Sequence, residues 1–354
     1  MRTSDFDFDL PPERIAQEPV TPRDAARLLV RRGDGGLEHS HVRDLAAFLR
    51  AGDLLVVNET RVLPARVLGT RATGGRVELL FLEPDLAHAE VRGWRAMVRP
   101  AKKLKPDELV TCSDGVVARM IERAVDDGTW TVQLRGGPVG ATVEELLAVA
   151  GAMPLPPYIE RGVTTEDEER YQTVYARTPG AIAAPTAGLH FTEDLFGTLA
   201  SAGVEVARVT LHVGAGTFLP VTADAIEDHH MHTERYELSA EAADAVRACR
   251  ARGGRVVAVG TTSARVLESC AAEDPAFERA VVEAASGSTD IFLRPGSGPR
   301  VCDGLLTNFH LPKSTLLMLV ASFIGREEML DMYRVAIEEE YRFYSYGDAT
   351  LLLP

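Results

Sequence analysis

The chain has 354 residues, of which 45% are hydrophobic and 25% charged, and its formal net charge is −14. This composition excludes a disordered or fibrous protein, the length predicts about two domains, and the acidic total argues against a broad nucleic-acid-binding surface. No apolar run approaches the roughly 20 residues that a membrane-spanning helix needs. The N-terminus, MRTSDFDFDLPPE, lacks the apolar core of a signal peptide, so we expect a cytoplasmic protein.

The first predicted elements are a buried strand and then a small barrel. Residues 53–57, DLLVV, form a continuous apolar run that is typical of a strand buried between layers. Over 62–152, short apolar stretches are separated by Gly, Asp and Pro turns, which favours a small β-barrel or sandwich. This segment holds 12 basic and 12 acidic residues, so the rest of the chain carries the whole net charge.

Strands and helices alternate after residue 153. VEVARVTLHV (204–213) and GRVVAVG (254–260) are typical of strands, with an amphipathic helix between them that stops at two glycines. A helix opened by Thr and Ser caps should follow, and then one buried and one surface helix over 315–343. The alternation predicts an α/β fold with a mostly parallel sheet, interrupted by an inserted small β-barrel domain. The predicted boundaries are 1–61 plus 153–354 for the α/β domain and 62–152 for the barrel.

The segment IAAPTAGLHFTE (182–193) is a first candidate site. Pro185 and Gly188 allow a sharp turn or a close approach to a ligand, and His190 stands at the turn with a side chain that titrates near neutral pH. An ordinary strand-to-helix turn with Thr192 as its N-cap explains the same residues. Both interpretations stay open from the sequence.

A second candidate is VTLHVGAGTFLPV (209–221), which places His212 in a predicted strand. Gly214, Gly216 and Thr217 lie just beyond it, at the strand end where open α/β sheets bind ligands. Glycines there allow backbone N–H groups to approach an anion or an adenine edge. The spacing matches neither the dinucleotide fingerprint nor the P-loop, and a tight turn explains the glycines equally well.

A third candidate is AVGTTSARVLES (258–269), a strand that runs into a helix N-terminus. The unpaired N–H groups of that first turn, with the hydroxyls of Thr261, Thr262 and Ser263, favour a carboxylate or a phosphate. Simple capping of the helix is the alternative.

The segment DHHMHTERYEL (228–238) concentrates His229, His230, His232 and Glu234. On a strand, alternation would place His230, His232 and Glu234 on one face, so a zinc, iron or manganese site is one hypothesis. The spacing is not a specific ligand pattern, however, and the four cysteines form no CxxC pair. An acid–base or substrate-holding role for His232 or Glu234 is favoured over a metal, and a solvated loop is the remaining alternative.

Polar residues around prolines suggest two further contact segments, TNFHLPKSTL (307–316) and VNETRVLPAR (57–66). Their amide and cationic side chains suit a base edge, a carboxylate or a phosphate. The residues are Asn308, His310 and Lys313 in the first segment, and Asn58, Arg61 and Arg66 in the second. The densest basic run, RPAKKLKP, is the favoured place for an anionic polymer, although a solvated loop explains it equally well; it holds Arg99, Lys102, Lys103 and Lys105.

Ten segments in order over about residues 4–352 give a more specific indication. They are FDFDLPPERIAQEP, DLLVVNETRVLPAR, MPLPPYIER, ERYQTVYA, APTAGLHFT, TLHVGAGTF, HTERYEL, AVGTTSARVLE, DGLLTNFHLPKSTLLMLVASFIG and YRFYSYGDATLL. This series resembles the S-adenosylmethionine:tRNA ribosyltransferase-isomerase family of queuosine biosynthesis. The resemblance implies an α/β domain interrupted by a small barrel, in a cytoplasmic and monomeric bacterial enzyme.

The resemblance also implies a reaction. The ribosyl group of S-adenosylmethionine is transferred and isomerised onto the aminomethyl group of a 7-deazaguanine in the tRNA anticodon, giving epoxyqueuosine-tRNA, adenine and methionine. The sulfonium acidifies the adjacent C5′ carbon, so a base can form an ylide that expels adenine and opens the ribose. The amine then attacks the resulting vinyl sulfonium, and methionine leaves as the epoxide closes. This path needs an acid, a base and hydrogen-bond donors, and it implies no metal or other cofactor.

The chemistry suggests roles for the candidate residues, which are hypotheses at this stage. His190 or His212 is the predicted base, with His232 and Glu234 in proton transfer or ribose contacts. The predicted S-adenosylmethionine contacts are Gly214, Gly216, Thr217, Gly260, Thr261 and Thr262. The predicted contacts to the tRNA base and its flanking phosphates are Asn58, Arg61, Arg66, Asn308, His310 and Lys313. Arg99, Lys102, Lys103 and Lys105 are predicted to meet the RNA backbone.

Three alternatives remain. The histidines at 229, 230 and 232 would suit a metal-dependent hydrolase. The barrel would suit a non-catalytic RNA-binding protein. The acidity of the chain also leaves room for a family member that acts on a small-molecule amine.

Overall fold

The computed structural model describes residues 1–214, 216 and 221–354. The strands, in chain order, are β1 (Arg27–Arg31), β2 (Leu37–His41), β3 (Leu54–Asn58), β4 (Thr60–Val62), β5 (Arg66–Arg71), β6 (Arg76–Pro84), β7 (Trp94–Arg99), β8 (Leu109–Thr111), β9 (Val117–Arg123), β10 (Trp130–Arg135), β11 (Gly151–Ala152), β12 (Thr178–Ala181), β13 (Glu205–Leu211), β14 (Glu234–Leu238), β15 (Val256–Val259), β16 (Ala271–Ala272), β17 (Val281–Val282), β18 (Ala285–Thr289), β19 (Gly304–Asn308) and β20 (Ala349–Leu352). The α-helices are α1 (Val143–Ala150), α2 (Thr165–Arg170), α3 (Glu193–Ser201), α4 (Ala240–Ala251), α5 (Gly260–Ser269), α6 (Thr315–Ile324) and α7 (Arg326–Glu338).

In the described chain, nine strands form the main sheet, in the order β18-β14-β13-β3-β15-β19-β20-β1-β2. The central strands β13, β3, β15 and β19 run parallel to one another. Antiparallel pairs flank them on both sides, at β14–β13, β18–β14, β19–β20 and β1–β2. The sheet is therefore mixed, with the predicted parallel arrangement at its centre.

The strand β3 shows why the sheet is buried on both faces. Successive side chains of a strand point to opposite faces, and every position of this strand is apolar until its last residue. Leu54 and Val56 pack into a core with α4, α5, α6 and α7. Leu55 and Val57 pack into a second core with α3 on the other face. This double burial is what the continuous run DLLVV predicts.

A closed barrel interrupts the α/β part of the chain. In the described residues, β5, β6, β7, β10, β9 and β8 pair antiparallel in that order, and β5 pairs with β8 to close the ring. Phe81, Trp94 and Trp130 fill the interior, where α1 packs as well. The predicted fold class, an α/β sheet interrupted by a small β-barrel, is confirmed.

Three local predictions are wrong. β13 ends at Leu211, so His212 lies just beyond the strand rather than in it. β14 begins only at Glu234, so the preceding histidines do not share a strand face with it. The helix α5 has Val259 as N-cap and no side-chain cap, because its hydroxyl residues lie within the first turn and not before it.

The segment 182–193 contains a short 3-10 helix, Thr186–His190, in place of a strand end. A Cβ atom on Gly188 would lie 2.1 Å from the Tyr175 hydroxyl, so only glycine fits this close approach. Thr192 caps α3 as predicted, since its Oγ1 accepts the N–H of Leu195 at 3.1 Å.

None of the helices in the described residues is long and apolar enough to cross a membrane.

Candidate active site

A cleft opens at the carboxyl ends of β15 and β19, the edge at which open α/β sheets bind ligands. It contains about 550 Å³ of empty space, part of it open to solvent. The lining residues are Tyr171, Ala183, Ala184, Pro185, Thr186, Ala187, Val213, Gly260, Thr261, Thr262, Thr307, Asn308, His310, Leu316, Tyr344 and Ser345. Segments far apart in the chain, four of them candidates from the sequence, therefore form the walls of one cleft.

The first turn of α5 forms one wall. Gly260 adopts a left-handed backbone conformation, with φ +84°, which turns the chain sharply from β15 into the helix. Ser263 donates its hydroxyl to the carbonyl of Val259 at 2.8 Å, so that side chain points away from the cleft. The turn has no side-chain cap, and its N–H groups with Thr261 and Thr262 are suited to an anionic group such as a carboxylate.

Three buried polar atoms along the cleft have no hydrogen-bond partner in the described part of the chain. They are Oδ1 of Asn308, Oγ1 of Thr262 and the hydroxyl of Tyr171. Asn308 is 1% exposed and Tyr171 is fully buried. Burial raises the pKa of the Tyr171 phenol, so the hydroxyl stays protonated and can donate. Because unsatisfied buried polar groups are rare and costly, this cluster indicates a site for a polar ligand.

Asn308 is held in place by its amide nitrogen. Nδ2 donates to the carbonyl of Tyr344 at 3.1 Å and lies 3.2 Å from Nε2 of His190. Burial, together with the Arg342 and Arg23 guanidinium groups, lowers the pKa of His190 to about 4. His190 is therefore an uncharged imidazole behind Asn308, and the Asn308 carbonyl oxygen is left for the cleft.

The candidate histidines His310 and His212 are also uncharged at neutral pH. His310 lines the cleft with its Nε2 3.0 Å from the Thr307 hydroxyl, and burial lowers its pKa to about 3. His212 is half-buried next to Thr60, with 2.9 Å between Nδ1 and Oγ1. Burial and the charge of Arg235 lower the pKa of His212 to about 4. Its neighbour Val213 lines the cleft, whereas His212 does not.

Glu234 lies under the glycine segment and not in the open cleft. Its carboxylate is 6% exposed and forms an ion pair with Arg265 of α5. Oε1 also accepts the N–H of Gly214 at 2.9 Å. These contacts favour a structural role over the predicted proton transfer, and they engage the Gly214 N–H that was predicted to meet the nucleoside.

The structure does not bring four of the predicted base contacts into the cleft. Asn58 is fully buried, and both ends of its amide bind the backbone of Leu211. Lys313 pairs with Asp7 at 2.7 Å outside the cleft. Arg66 pairs with Glu78 on the barrel, and Arg61 is exposed on β4. The spacing of residues in the sequence could not reveal that the Asn58 side chain links the ends of β3 and β13 by hydrogen bonds.

The histidine-rich segment does not form a metal site. His230 and His232 are exposed, and His229 packs edge-on against the ring of Phe292. Within the described ranges, no group of three or more His, Cys, Asp and Glu side chains is arranged to hold a metal ion. The hydrolase hypothesis therefore gains no support. Thr217 lies outside the described residues.

The predicted RNA-backbone residues lie together on the outside of the barrel. Arg99, Lys102, Lys103 and Lys105 are all exposed, and none has a carboxylate within ion-pair distance in the described chain. Arg76 and Arg99 line one shallow groove of the barrel, together with Glu78, whose carboxylate pairs with Arg66. We call Arg76, Arg99, Lys102, Lys103 and Lys105 the basic barrel face. The acidic chain thus presents a local concentration of unpaired positive charge.

Three residues at or near the cleft were not predicted. Tyr171 lies within ERYQTVYA and Tyr344 within YRFYSYGDATLL, and neither segment by itself predicts a role for its tyrosine. Arg265 is in the middle of a helix, where an arginine usually faces solvent, so nothing in the sequence singled it out.

A model of the family described as queuosine biosynthesis protein matches residues 3–352. The chain belongs to this family. A relative from Anaeromyxobacter sp. (strain Fw109-5), named S-adenosylmethionine:tRNA ribosyltransferase-isomerase, is 53% identical over 99% of both chains. A relative of the same name from Symbiobacterium thermophilum is 50% identical over 100% of both. The resemblance inferred from the ten segments is confirmed.

A solved structure is similar as well. The crystal structure of an S-adenosylmethionine tRNA ribosyltransferase from Thermotoga maritima is 36% identical, with a TM-score of 0.55 over 99% of this chain and 100% of that one. The similarity covers both the main sheet and the barrel, so the two chains share this interrupted fold.

Proposed function

We propose that the chain is an S-adenosylmethionine:tRNA ribosyltransferase-isomerase. It transfers and isomerises the ribosyl group of S-adenosylmethionine onto the 7-aminomethyl-7-deazaguanine base of tRNA, and the products are epoxyqueuosine-tRNA, adenine and methionine. The observation that carries this proposal is the cleft, which is lined by three residues with unsatisfied polar atoms. The sequence of the chain is also about 50% identical, over its full length, to proteins of that name.

We infer that S-adenosylmethionine lies in the cleft with its methionine carboxylate at the first turn of α5. The uncapped N–H groups of that turn, next to Thr261 and Thr262, supply the positive end of a helix dipole. Asn308 Oδ1 offers an acceptor and the Tyr171 hydroxyl offers a donor to the polar atoms of the nucleoside. Each then satisfies a buried group that the protein alone leaves unpaired.

The reaction needs a group that takes the proton from C5′ of the ribosyl chain. His190 and His212 stay the proposed bases, and their lowered pKa values keep both imidazoles in the uncharged form that can accept a proton. The C5′ electron pair then forms the C4′=C5′ double bond of a vinyl sulfonium as the C4′–O4′ bond breaks, and the ring oxygen becomes a C1′ carbonyl as adenine leaves C1′ with a proton. The amine of the deazaguanine adds to C4′ and gives up a proton, which regenerates the ylide at C5′. The C5′ carbon then attacks C1′, and the oxygen on C1′ displaces methionine from C5′ to close the epoxide.

We infer that the basic barrel face holds the anticodon stem-loop of the tRNA through its phosphates. The unpaired cations there offer a local anion site on an otherwise acidic protein. Location in the cytoplasm, a monomeric state and the absence of a further cofactor stay predictions.

The proposal is tested with S-adenosylmethionine labelled in its ribose carbons and tRNA carrying the aminomethyl-deazaguanine. We expect the label to appear in the tRNA nucleoside. The same mixture with tRNA that lacks the aminomethyl group is the control and should stay unlabelled. Transfer of the label to a small-molecule amine but not to tRNA would contradict the proposed acceptor.

A further inference from the structure

A buried ion pair joins two elements beside the cleft. Glu234, at the start of β14, is 6% exposed, and Arg265, in the middle of α5, is 5% exposed. The Arg265 Nε also donates to the carbonyl of Ile291 at 3.3 Å. Arg265 stands one turn beyond Thr261 on the same helix, so the pair ties β14 to the helix whose first turn forms a wall of the cleft.

The same carboxylate also holds the glycine segment that follows β13. Oε1 of Glu234 accepts the Gly214 N–H at 2.9 Å, and the preceding residue, Val213, lines the cleft. Gly216 lies against the His232 ring, since a Cβ atom there would be 2.3 Å from its Cδ2. One carboxylate is therefore linked to two walls of the cleft, through residues 213–214 and through α5.

We propose that Glu234 and Arg265 are positioning residues, which set the distance between residues 213–214 and the first turn of α5 before S-adenosylmethionine binds. This inference rests on the proposed function. Burying two charges is costly, and two apolar residues of similar volume often stabilise a fold at least as much as a buried ion pair does. A buried pair kept at that cost suits a role beyond folding, because two apolar side chains could not accept the Gly214 N–H.

The test compares two double variants. E234M/R265M removes the pair and the acceptor of the Gly214 N–H. The matched control, D303L/R250M, removes a partly buried pair at the amino end of β15, away from the cleft. Asp303 there accepts the Val256 N–H at 2.7 Å and also pairs with Arg279. Denaturant unfolding first checks that both variants are folded. We then expect E234M/R265M to raise the KM for S-adenosylmethionine about tenfold with kcat within about twofold, and the control to leave both unchanged.

A third variant separates the acceptor from the charge. E234Q/R265M keeps an oxygen for the Gly214 N–H, so it should bring the KM back to within about threefold of the wild type. A wild-type KM in a folded E234M/R265M would overturn the positioning role, as would an equal loss in the control.

Failure of the proposed function can be distinguished from failure of the positioning role. In that case the wild type neither binds S-adenosylmethionine in a calorimeter nor turns it over. Failure of the positioning role alone leaves wild-type binding and turnover intact, and E234M/R265M then behaves like the D303L/R250M control.

Discussion

Two histidines beside the cleft should make the α/β part of the chain sensitive to mild acid. His190 and His310 are 5% and 4% exposed, and burial lowers their pKa values from 6.5 to about 4 and about 3. Because the pKa is higher in the unfolded chain, that chain binds protons first as the pH falls. The contribution of each imidazole is complete above pH 6.5 and is lost progressively towards pH 4.

The magnitude follows from the two pKa values. At about pH 5, an imidazole with an unfolded pKa of about 6.5 and a folded pKa of about 4 or below loses about 2 kcal/mol, and the two together lose about 4 kcal/mol. A typical domain has a free energy of unfolding of roughly 5–15 kcal/mol, so this loss is a large fraction of it.

The assay is denaturant unfolding at about pH 7.5 and about pH 5, followed by far-UV circular dichroism. Tryptophan fluorescence does not serve, because Trp94 and Trp130 both lie in the barrel. We expect the wild type to lose at least about 4 kcal/mol between the two pH values, since His212 adds to the loss, and H310N to lose about 2 kcal/mol less than the wild type. H41N, at an exposed histidine of β2, is the control and should retain the wild-type loss. An undiminished loss in H190N/H310N would refute the reasoning.

Three further predictions concern the site. N308L removes the unpaired acceptor in the cleft and should raise the KM for S-adenosylmethionine about fivefold to tenfold in steady-state assays, and an unchanged KM would place the ligand elsewhere. G180A places a Cβ 2.6 Å from the His212 ring at φ +147° and should lower kcat at least tenfold, while G162A, with no atom within 4 Å, serves as its control. Replacing Lys102, Lys103 and Lys105 together by Glu should raise the KM for tRNA at least tenfold. It should also make the slope of the logarithm of the tRNA binding constant against the logarithm of the salt concentration shallower by about 2–3. The control R334E, on α7, should change neither.

Much of the fold could be predicted from the sequence because its cores are built from local patterns. The apolar residues within 53–57 are buried on both faces of the sheet, as a continuous apolar run predicts. The barrel strands alternate buried and exposed residues, as in the pattern of β6. The antiparallel edges could not be predicted, because the sequence does not specify which strand pairs with which across large separations.

The candidate site could be predicted only in part. Thr262, Asn308 and His310 meet in the cleft because they follow parallel strands whose ends converge. Asn58 has the same position at a strand end, but its amide is taken up by the next strand. The contact of Tyr171 with the cleft depends on long-range packing, which no local spacing encodes.

The central claim is tested most directly by the release of adenine and methionine. Purified protein is mixed with S-adenosylmethionine and with tRNA that does or does not carry the aminomethyl-deazaguanine, and both products are followed by chromatography. The account predicts that adenine and methionine are released in equal amounts and only with the modified tRNA. Release that does not depend on the tRNA, or no release although S-adenosylmethionine binds, would contradict it.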